Sequence, residues 1–299
     1  MESNKSNSES RVIVTGCTSL VGFFLLPELI RAGKILSVVS RKPSPKNRMN
    51  KSIYISWHQC APFSGKCVPK LPLADTLIHL APLWVLPGFL EDFSVSGGKR
   101  LIAFSSTSRF TKITSNNPVE RNIAERLIKA ENDIISMCEE SGIAWTIFRP
   151  TLIYGSGLDK NISFIMHFIR RYGFFPLPGK CEGLRQPVHA DDLASASVSV
   201  IACKAAFNKS YNLTGGETIS YRELVELIFS SLGRKKKIIQ IPVSIFGLLV
   251  RILSCIPKYR YLNKEMLIRM DKDLCFDSSD AVRDFGYSAR GITQEISKG

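Results

Sequence analysis

A short polar turn between two apolar segments, residues 11–22, constrains the fold of this 299-residue chain more than any other stretch. The run Val12–Val14 predicts a β-strand, Thr15-Gly16 ends it, and an apolar helical pattern begins at Leu20. The first N–H groups of a helix have no partner within the helix, and the helix dipole favours negative charge there. A strand, a tight turn and a helix N-terminus therefore predict a phosphate site of the kind that holds a dinucleotide pyrophosphate.

The glycine spacing of this turn departs from the usual one. In the pattern G-x-x-G-x-x-G, Gly16 and Gly22 take the outer positions and Ser19 takes the middle one. Ser19 adds a Cβ where the backbone normally approaches the ligand, but its hydroxyl is itself able to bond a phosphate oxygen. From the turn we expect cofactor contacts by Gly16, Thr18, Ser19, Leu20, Val21 and Gly22.

Composition sets outer bounds on the class of protein. Hydrophobic residues make up 44% of the chain, which is enough for one large core or for a core with a smaller lobe. The eight cysteines form no C-x-x-C pair, so we interpret them as reduced thiols and expect no metal site. Residues 1–10 lack the apolar segment of a secretory signal. We therefore expect a globular cytoplasmic protein.

The formal net charge of +14 raises the question of the partner. Basic residues are spread along the chain, with one cluster at 234–237, and no zinc-finger, RNA-recognition or helix-turn-helix pattern accompanies them. We therefore expect no nucleic-acid partner, and an acidic small molecule instead. The most apolar window, 243–256, is too short to span a bilayer. It predicts a core helix, with a helix that lies on a membrane surface or contacts a lipid-like substrate as the alternative.

Apolar strands alternate with helical patterns in the first half of the chain. This order predicts βαβ units, and hence an α/β fold with a Rossmann-type, doubly wound parallel sheet. The predicted helices are Val21–Ala32 and Glu120–Glu140, the second ended by Gly142. The predicted strands are Val12–Val14, Ile35–Ser40, Ile53–Trp57, Thr76–Leu80, Arg100–Ser105 and Ala144–Phe148.

The pattern changes near residue 155, where prolines and glycines become frequent. A helix is predicted from Asp191 to about Cys203, then a strand at Tyr211–Leu213, and Ser220 with Glu223 resembles a capping box. We therefore predict a dinucleotide-binding domain at 1–155 and a smaller C-terminal substrate lobe at 156–299, partly threaded back onto the sheet.

The end of the second strand bears on which cofactor is bound. An acidic residue there bonds the adenosine ribose of NAD, whereas a basic residue accepts the 2′-phosphate of NADP. The strand ends in Ser40-Arg41-Lys42, and no Asp or Glu occurs from Arg31 to Ala74. Because a guanidinium binds phosphate in a two-point geometry, Arg41 and Lys42 favour NADP over NAD.

Six segments follow one another along the chain: 15–22 (TGCTSLVG), 75–81 (DTLIHLA), 104–107 (FSST), 148–155 (FRPTLIYG), 185–194 (RQPVHADDLA) and 211–216 (YNLTGG). Taken in this order they resemble the extended or atypical short-chain dehydrogenases/reductases, of the NAD-dependent epimerase/dehydratase kind. The resemblance covers nearly the whole chain. It implies the α/β fold above, a homodimer, and these further contacts: Leu80, Ala81, Ser105, Pro150 and Leu152 with cofactor, and Tyr154, Arg185 and His189 with substrate.

The family's chemistry uses three groups, and this chain has one of them. The resemblance places Thr107 where a hydroxyl orients the substrate oxygen, but the helix that follows has no Tyr-x-x-x-Lys. If Glu131 is the Glu that often follows this motif, Ile123 and Leu127 occupy the Tyr and Lys positions. Ordinary Tyr-dependent proton transfer is therefore in question, whereas cofactor binding is not.

Other ionisable residues are alternatives for the missing groups. Glu125 and Lys129 are four apart on the helix but out of register, so we interpret them as a solvated salt bridge, with displaced catalytic groups as the alternative. Lys112 is an alternative acid, and His79, on an apolar strand, is interpreted as a core histidine.

Two functions are compatible with these observations. The first is an NADP-binding epimerase-, dehydratase- or reductase-like enzyme that acts on a nucleotide-sugar or similar anionic substrate. The second is a non-catalytic NADP-binding sensor or assembly subunit, which the missing Tyr and Lys favour.

Overall fold

A seven-stranded parallel sheet forms the centre of the protein. The structure is a computed structural model that describes residues 10–41, 55–59, 71–159, 161–247 and 264–296. The strands of the sheet are β1 (Arg11–Thr15), β2 (Ile35–Ser40), β3 (Ile55–Gln59), β4 (Thr76–His79), β5 (Arg100–Phe104), β6 (Ala144–Pro150) and β11 (Lys209–Leu213). Their order is β11-β6-β5-β4-β1-β2-β3, with every pair parallel. This confirms the predicted doubly wound α/β class.

Helices cover the sheet on both faces, as a buried parallel sheet requires. The alternation of side chains along β1 shows the two layers, because Val12 and Val14 pack in one core cluster and Ile13 in another. The first cluster includes residues of α1 (Leu20–Arg31) and α6 (Ala190–Ser199), and the second includes residues of α2 (Pro87–Val95) and α4 (Pro118–Ser141). A short helix, α3 (Ser108–Thr111), follows β5.

The C-terminal part has a third core cluster of its own and returns one strand to the main sheet. That strand, β11, pairs with β6 from Lys209 opposite Thr146 to Leu213 opposite Pro150. The other elements are β7 (Ile153–Tyr154), α5 (Ile162–Tyr172), β8 (Phe175–Pro178), β9 (Leu184–Arg185), β10 (Val188–His189), β12 (Ile219–Ser220), α7 (Tyr221–Ser231), β13 (Ile238–Ile241) and the helices Lys264–Met270, Ser279–Phe285 and Ile292–Ile296.

Sequence signals at helix ends agree closely with the structure. Gly142 ends α4 in the left-handed conformation, with φ of 66°. Ser220 and Glu223 form the predicted capping box at the start of α7. Two predictions are corrected. Within the described residues the third strand covers Ile55–Gln59 and so ends two residues later than predicted, because its pairing with β2 continues to Gln59; residues 53–54 of the prediction lie outside the described residues. The helix after His189 ends at Ser199.

The predicted Glu125–Lys129 salt bridge is wrong. Lys129 Nζ instead pairs with Asp133 Oδ2 at 2.7 Å, one helical turn further on. Glu125 and Lys129 are both exposed.

Part of the apolar window 243–256 is described. Residues 243–247 are helical, and 248–256 lie outside the described residues, so neither reading of this window is decided. Among the helices that the structure describes, none combines the length and the apolar character needed to cross a membrane.

Candidate functional site

A cavity of about 410 Å³ lies at the carboxyl ends of the central strands. In open α/β sheets this edge is where ligands bind, and the volume is that of a small-molecule pocket. Seven of the predicted cofactor residues line it: Ser19, Leu20, Val21, Leu80, Ala81, Ser105 and Pro150. Sequence analysis assigned no contact to the rest of the lining: Pro82, Leu83, Trp84, Phe104, Ser106, Ser108, Ile123, Leu127 and Ile153.

The turn before α1 presents unpaired donors to this cavity. Ser19 caps the helix, since its Oγ accepts from Gly22 N at 3.2 Å, and this leaves its O–H free to donate. In the described part of the chain, the main-chain N–H groups of Leu20 and Val21 have no hydrogen-bond acceptor, and the first turn holds no acidic residue. Two N–H groups and one hydroxyl at a helix N-terminus fit a diphosphate.

Two glycines allow the turn to pack this tightly. Gly16 has φ of +70°, and a Cβ there would lie 2.4 Å from the main-chain nitrogen of Ala81. A Cβ on Gly22 would lie 2.2 Å from the carbonyl oxygen of Cys17. The outer glycines of the pattern are therefore needed for the path of the backbone itself.

A buried histidine supports the same end of the sheet. His79 Nδ1 is 2.7 Å from Thr15 Oγ1 at the end of β1, and its Nε2 is 3.3 Å from the carbonyl oxygen of Pro82. Burial lowers the pKa of His79 to about 4, so the ring is neutral at pH 7. His79 is thus the core histidine that was predicted.

A buried carboxylate fixes the register of α4 against the cavity. Glu131, with a side chain 1% exposed, accepts from Ser105 Oγ and Arg109, and from Arg149 Nη2 at 2.6 Å. Ile123 and Leu127 lie eight and four residues before it, on the face that lines the cavity. The positions predicted for Tyr and Lys therefore face the cavity and carry aliphatic side chains.

Thr107, the predicted substrate-orienting residue, is buried beside the cavity. Its Oγ1 donates to the carbonyl oxygen of Pro150 at 3.1 Å, and its main-chain N–H donates to the same oxygen at 3.2 Å. The hydroxyl oxygen keeps its capacity to accept a hydrogen bond. Its role stays a prediction.

The three predicted substrate residues have other partners in this structure. The guanidinium of Arg185 donates to three main-chain carbonyls, those of Leu184, Lys272 and Arg269. His189 caps α6, where its Nδ1 accepts from the main-chain N–H of Asp191 at 3.2 Å.

Tyr154 packs edge-on against His189 with ring centroids 5.1 Å apart, and its buried hydroxyl has no hydrogen-bond partner among the residues that the structure describes. Burial raises the pKa of Tyr154. Leu152 packs against the C-terminal core. Neither Tyr154, His189, Arg185 nor Leu152 lines the cavity, and their contacts with ligand stay predictions.

The two basic residues predicted to choose the cofactor follow β2. Arg41 is exposed at the end of this strand, and its carbonyl oxygen accepts from Gln59 Nε2 at 3.3 Å. Lys42 lies outside the described residues.

A second cleft, of about 790 Å³, is larger but is a less convincing site. It is open and lies where the C-terminal segment meets α6. Arg290 fills its charged part by pairing with Asp191 and Asp192, each at 2.7 Å. These ion pairs anchor the segment, so we place the functional site at the smaller cavity.

Comparisons with known proteins give relatives of low identity and solved structures of the same fold. No protein-family model matches the chain. Among curated proteins it is 26% identical to the uncharacterized protein y4nG of Sinorhizobium fredii over 67% of this chain and 52% of that protein. It is 24% identical to the uncharacterized oxidoreductase YesF of Bacillus subtilis (76% and 73%), and 21% identical to the UDP-glucose 4-epimerase of Vibrio cholerae (69% and 59%). The match thus spans about half to three quarters of these relatives' lengths.

Solved structures share the fold of this chain. The UDP-glucose 4-epimerase of Thermotoga maritima, solved with UDP-glucose, superposes with a TM-score of 0.74 at 16% identity, with 96% of both chains covered. MoeE5, in complex with UDP-glucuronic acid and NAD, gives a TM-score of 0.70 at 18% identity and the same coverage. The protein therefore shares its fold with this UDP-glucose 4-epimerase and with MoeE5. The resemblance seen in the motifs is confirmed to this extent.

Proposed function

We propose that the cavity binds a nicotinamide dinucleotide and that the protein is an epimerase-, dehydratase- or reductase-like enzyme for a nucleotide-sugar or similar anionic substrate. One observation carries the proposal: a single cavity joins the donor-rich turn before α1 to the ends of β4, β5 and β6. A dinucleotide extended along a parallel sheet follows this path. The structural neighbour MoeE5 was solved with NAD in the same fold.

For the cofactor itself we propose NADP. Arg41 stands at the end of β2, and no carboxylate from 31 to 74 is present to bond the ribose of NAD. NAD is the alternative, since it is the dinucleotide named with the neighbouring structures.

The chain's own residues have limited means of proton transfer. When bound, the dinucleotide supplies the group that accepts or gives a hydride. Leu20 and Val21 N–H and the Ser19 hydroxyl would hold its diphosphate. Since the proton of Thr107 is used by Pro150, Oγ1 would accept from a substrate hydroxyl and so orient it.

A second candidate is a subunit that binds the dinucleotide without turnover. Ile123 and Leu127 favour it, because aliphatic side chains neither donate a proton nor hold a ribose hydroxyl. Such a subunit would keep the dinucleotide-binding cavity but lack the side chains that transfer a proton.

Titration with NADPH and NADH, followed by nicotinamide fluorescence, tests the common part of both candidates. We expect micromolar binding of NADPH, at least tenfold weaker binding of NADH, and loss of this difference in Arg41→Ala. Absence of binding by either dinucleotide would reject the proposal. Assays of turnover with a panel of UDP-sugars and the bound cofactor then distinguish an enzyme from a binding subunit. Turnover by the wild type that is absent in Thr107→Val supports the enzyme.

A further inference from the structure

An exposed stripe of aromatic side chains runs along α5 and continues past its end. Phe164, Phe168 and Tyr172 follow one another at intervals of four residues, so they lie on one side of the helix. Phe168 and Tyr172 have ring centroids 4.7 Å apart, and Phe174 packs against Phe168 at 5.7 Å. Phe164 is 38% exposed and Tyr172 is 60% exposed. We call these four residues the aromatic stripe.

The side of α5 that supports the fold is a different one. Ile162, Ile165 and Ile169 are buried in the third core cluster. Phe168 packs against the border of this cluster, whereas Phe164 and Tyr172 do not belong to it. The apolar arc of α5 is therefore wider than its packing in the fold requires, and exposed apolar surface of this kind marks an interaction site.

Positive charge lies next to the aromatic stripe. Arg171 comes three residues after Phe168, which places it on the same side of α5. The main-chain N–H of Phe175 donates to the carbonyl oxygen of Lys237 at 3.0 Å, so the basic cluster 234–237 lies beside the end of the stripe. Arg171 and all four residues of the cluster are exposed.

Acidic residues are absent from the two segments that form this surface. Residues 161–181 and 234–247 together hold seven Lys and Arg and no Asp or Glu, in a chain with 26 Asp and Glu. Two carboxylates contact these segments, and both are engaged. Asp159 accepts from main-chain N–H groups at the start of α5, and Glu226 pairs with Lys236 at 2.9 Å. The surface therefore complements a partner of negative charge.

Aromatic and basic side chains together fit the surface of an anionic membrane. Aromatic rings favour the boundary between headgroups and acyl chains, and Lys and Arg attract the phosphates of anionic lipids. A second copy of this chain is a poorer partner, because a two-fold contact would set one positive surface against another.

Single-stranded nucleic acid is also a poorer partner. Rings that stack on one another, as Phe168 and Tyr172 do, are not splayed to receive bases. The segment after the basic cluster adds three exposed aliphatic side chains, Ile239, Val243 and Ile245. Aliphatic groups gain from burial among acyl chains but not from contact with phosphates.

We propose that the aromatic stripe, with Arg171 and the basic cluster 234–237, binds the surface of an anionic lipid bilayer. The rings enter the headgroup region, and the basic side chains contact lipid phosphates. None of these residues lines the cavity at the ends of the central strands, so membrane binding is independent of the proposed dinucleotide site.

Co-sedimentation with vesicles tests this surface. We expect the wild type to bind vesicles of phosphatidylcholine and phosphatidylserine in a ratio of about two to one, and to bind phosphatidylcholine alone at least tenfold more weakly. Arg171→Glu should bind the mixed vesicles at least fivefold more weakly, since one basic residue contributes about fivefold to affinity for such a surface. Tyr172→Ser should lose at least as much, because it removes an exposed ring from the stripe.

Two variants outside the surface are the controls. Arg31→Glu makes the same change of charge in the last turn of α1, and Val282→Ser removes a side chain that is 53% exposed from another helix. Both should bind the mixed vesicles like the wild type. Equal losses in the controls and in the stripe variants would overturn the assignment of the surface, and so would a wild type that does not bind the mixed vesicles.

Hydrogen exchange on the unmodified protein covers the case in which a variant does not fold. Mixed vesicles should slow exchange of the main-chain amides of residues 171–175 several-fold and leave those of residues 30–34, at the end of α1, unchanged. Equal behaviour of the two segments would overturn the proposal. NADPH titration of Arg171→Glu, expected to match the wild type, keeps membrane binding apart from dinucleotide binding.

The other two partners are tested directly. Sedimentation equilibrium shows whether the protein self-associates, and a dimer that Tyr172→Ser dissociates would assign the surface to a second copy of this chain. A labelled single-stranded oligonucleotide that binds the wild type, binds Arg171→Glu more weakly and is not displaced by mixed vesicles would assign it to nucleic acid. Either result would overturn membrane binding. We expect no effect of Tyr172→Ser on the oligomeric state.

Discussion

The two walls of the cavity differ in the polar groups that they present to it. The wall formed by the turn before α1 keeps two unpaired N–H groups and a hydroxyl at a helix N-terminus. The wall formed by α4 presents Ile123 and Leu127, and the carboxylate of Glu131, four residues after Leu127, is buried against two arginines. The turn before α1 therefore has the donors to bind an anion, whereas α4 presents no acid or base to the cavity.

Under the proposed function, binding and proton transfer therefore depend on different parts of the cavity. Main-chain donors at a helix N-terminus come from the path of the backbone, so they tolerate a serine in place of the middle glycine. Acid and base groups come from single side chains, so two substitutions remove them. Changes in either wall should therefore have different consequences for dinucleotide affinity and for stability.

The largest effect is expected at Glu131. In Glu131→Gln two buried arginines lose their shared negative charge, and removal of one partner of a buried ion pair costs about 3 to 5 kcal/mol. Urea denaturation measures the loss in the free energy of unfolding. Glu125→Gln, on the exposed face of α4, is the control and should change stability by less than about 0.5 kcal/mol. Similar values for the two variants would mean that α4 is not held by this carboxylate.

The sequence predicted the turn wall better than the α4 wall. Ser19, Leu20 and Val21 were identified because strand, turn and helix are consecutive, so local spacing describes the site. Ile123 and Leu127 were placed only through Glu131, whose partners come from α3, β6 and the residue that follows β5. Arg109 and Arg149 were not identified as partners of Glu131, because this pairing depends on tertiary packing and not on spacing.

Packing also decided the partners of two other side chains. Lys129 had two possible partners at i±4, and spacing alone did not choose between Glu125 and Asp133. Arg185 has the right residue type for a phosphate, but its donors meet carbonyls supplied by a segment more than eighty residues later.

A second effect should appear in acid and concerns the turn wall. His79 is fully buried with a pKa of about 4, below its ordinary value of 6.5. The unfolded chain therefore binds the proton more readily, and stability should fall by up to about 3 kcal/mol as the pH drops from 6.5 through 4. The measurement is the free energy of unfolding of wild type minus that of His79→Leu across this range. A difference that does not change with pH would contradict a buried neutral ring.

A smaller loss is expected from a methyl group at Gly22. In Gly22→Ala the new Cβ would meet the Cys17 carbonyl oxygen at 2.2 Å, where the obstacle is backbone and must shift. We expect a cost of about 1 to 3 kcal/mol and at least tenfold weaker dinucleotide binding. Gly88→Ala, in α2 with nothing within 4 Å, is the control and should be neutral or slightly stabilising. Unchanged dinucleotide affinity in Gly22→Ala would mean that the turn before α1 does not contact the dinucleotide.

The smallest effect tests the middle position of the glycine pattern with two variants. Ser19→Ala removes both the cap and the hydroxyl donor, and should cost about 1 kcal/mol of stability and several-fold in dinucleotide affinity. Ser19→Gly restores the usual glycine and should cost only about a few tenths of a kcal/mol. If the serine hydroxyl bonds the diphosphate, both variants bind the dinucleotide more weakly than the wild type. If close approach of the backbone to the diphosphate matters more, Ser19→Gly binds the dinucleotide more tightly than the wild type. The serine of the natural sequence then lowers the affinity of the turn for the dinucleotide.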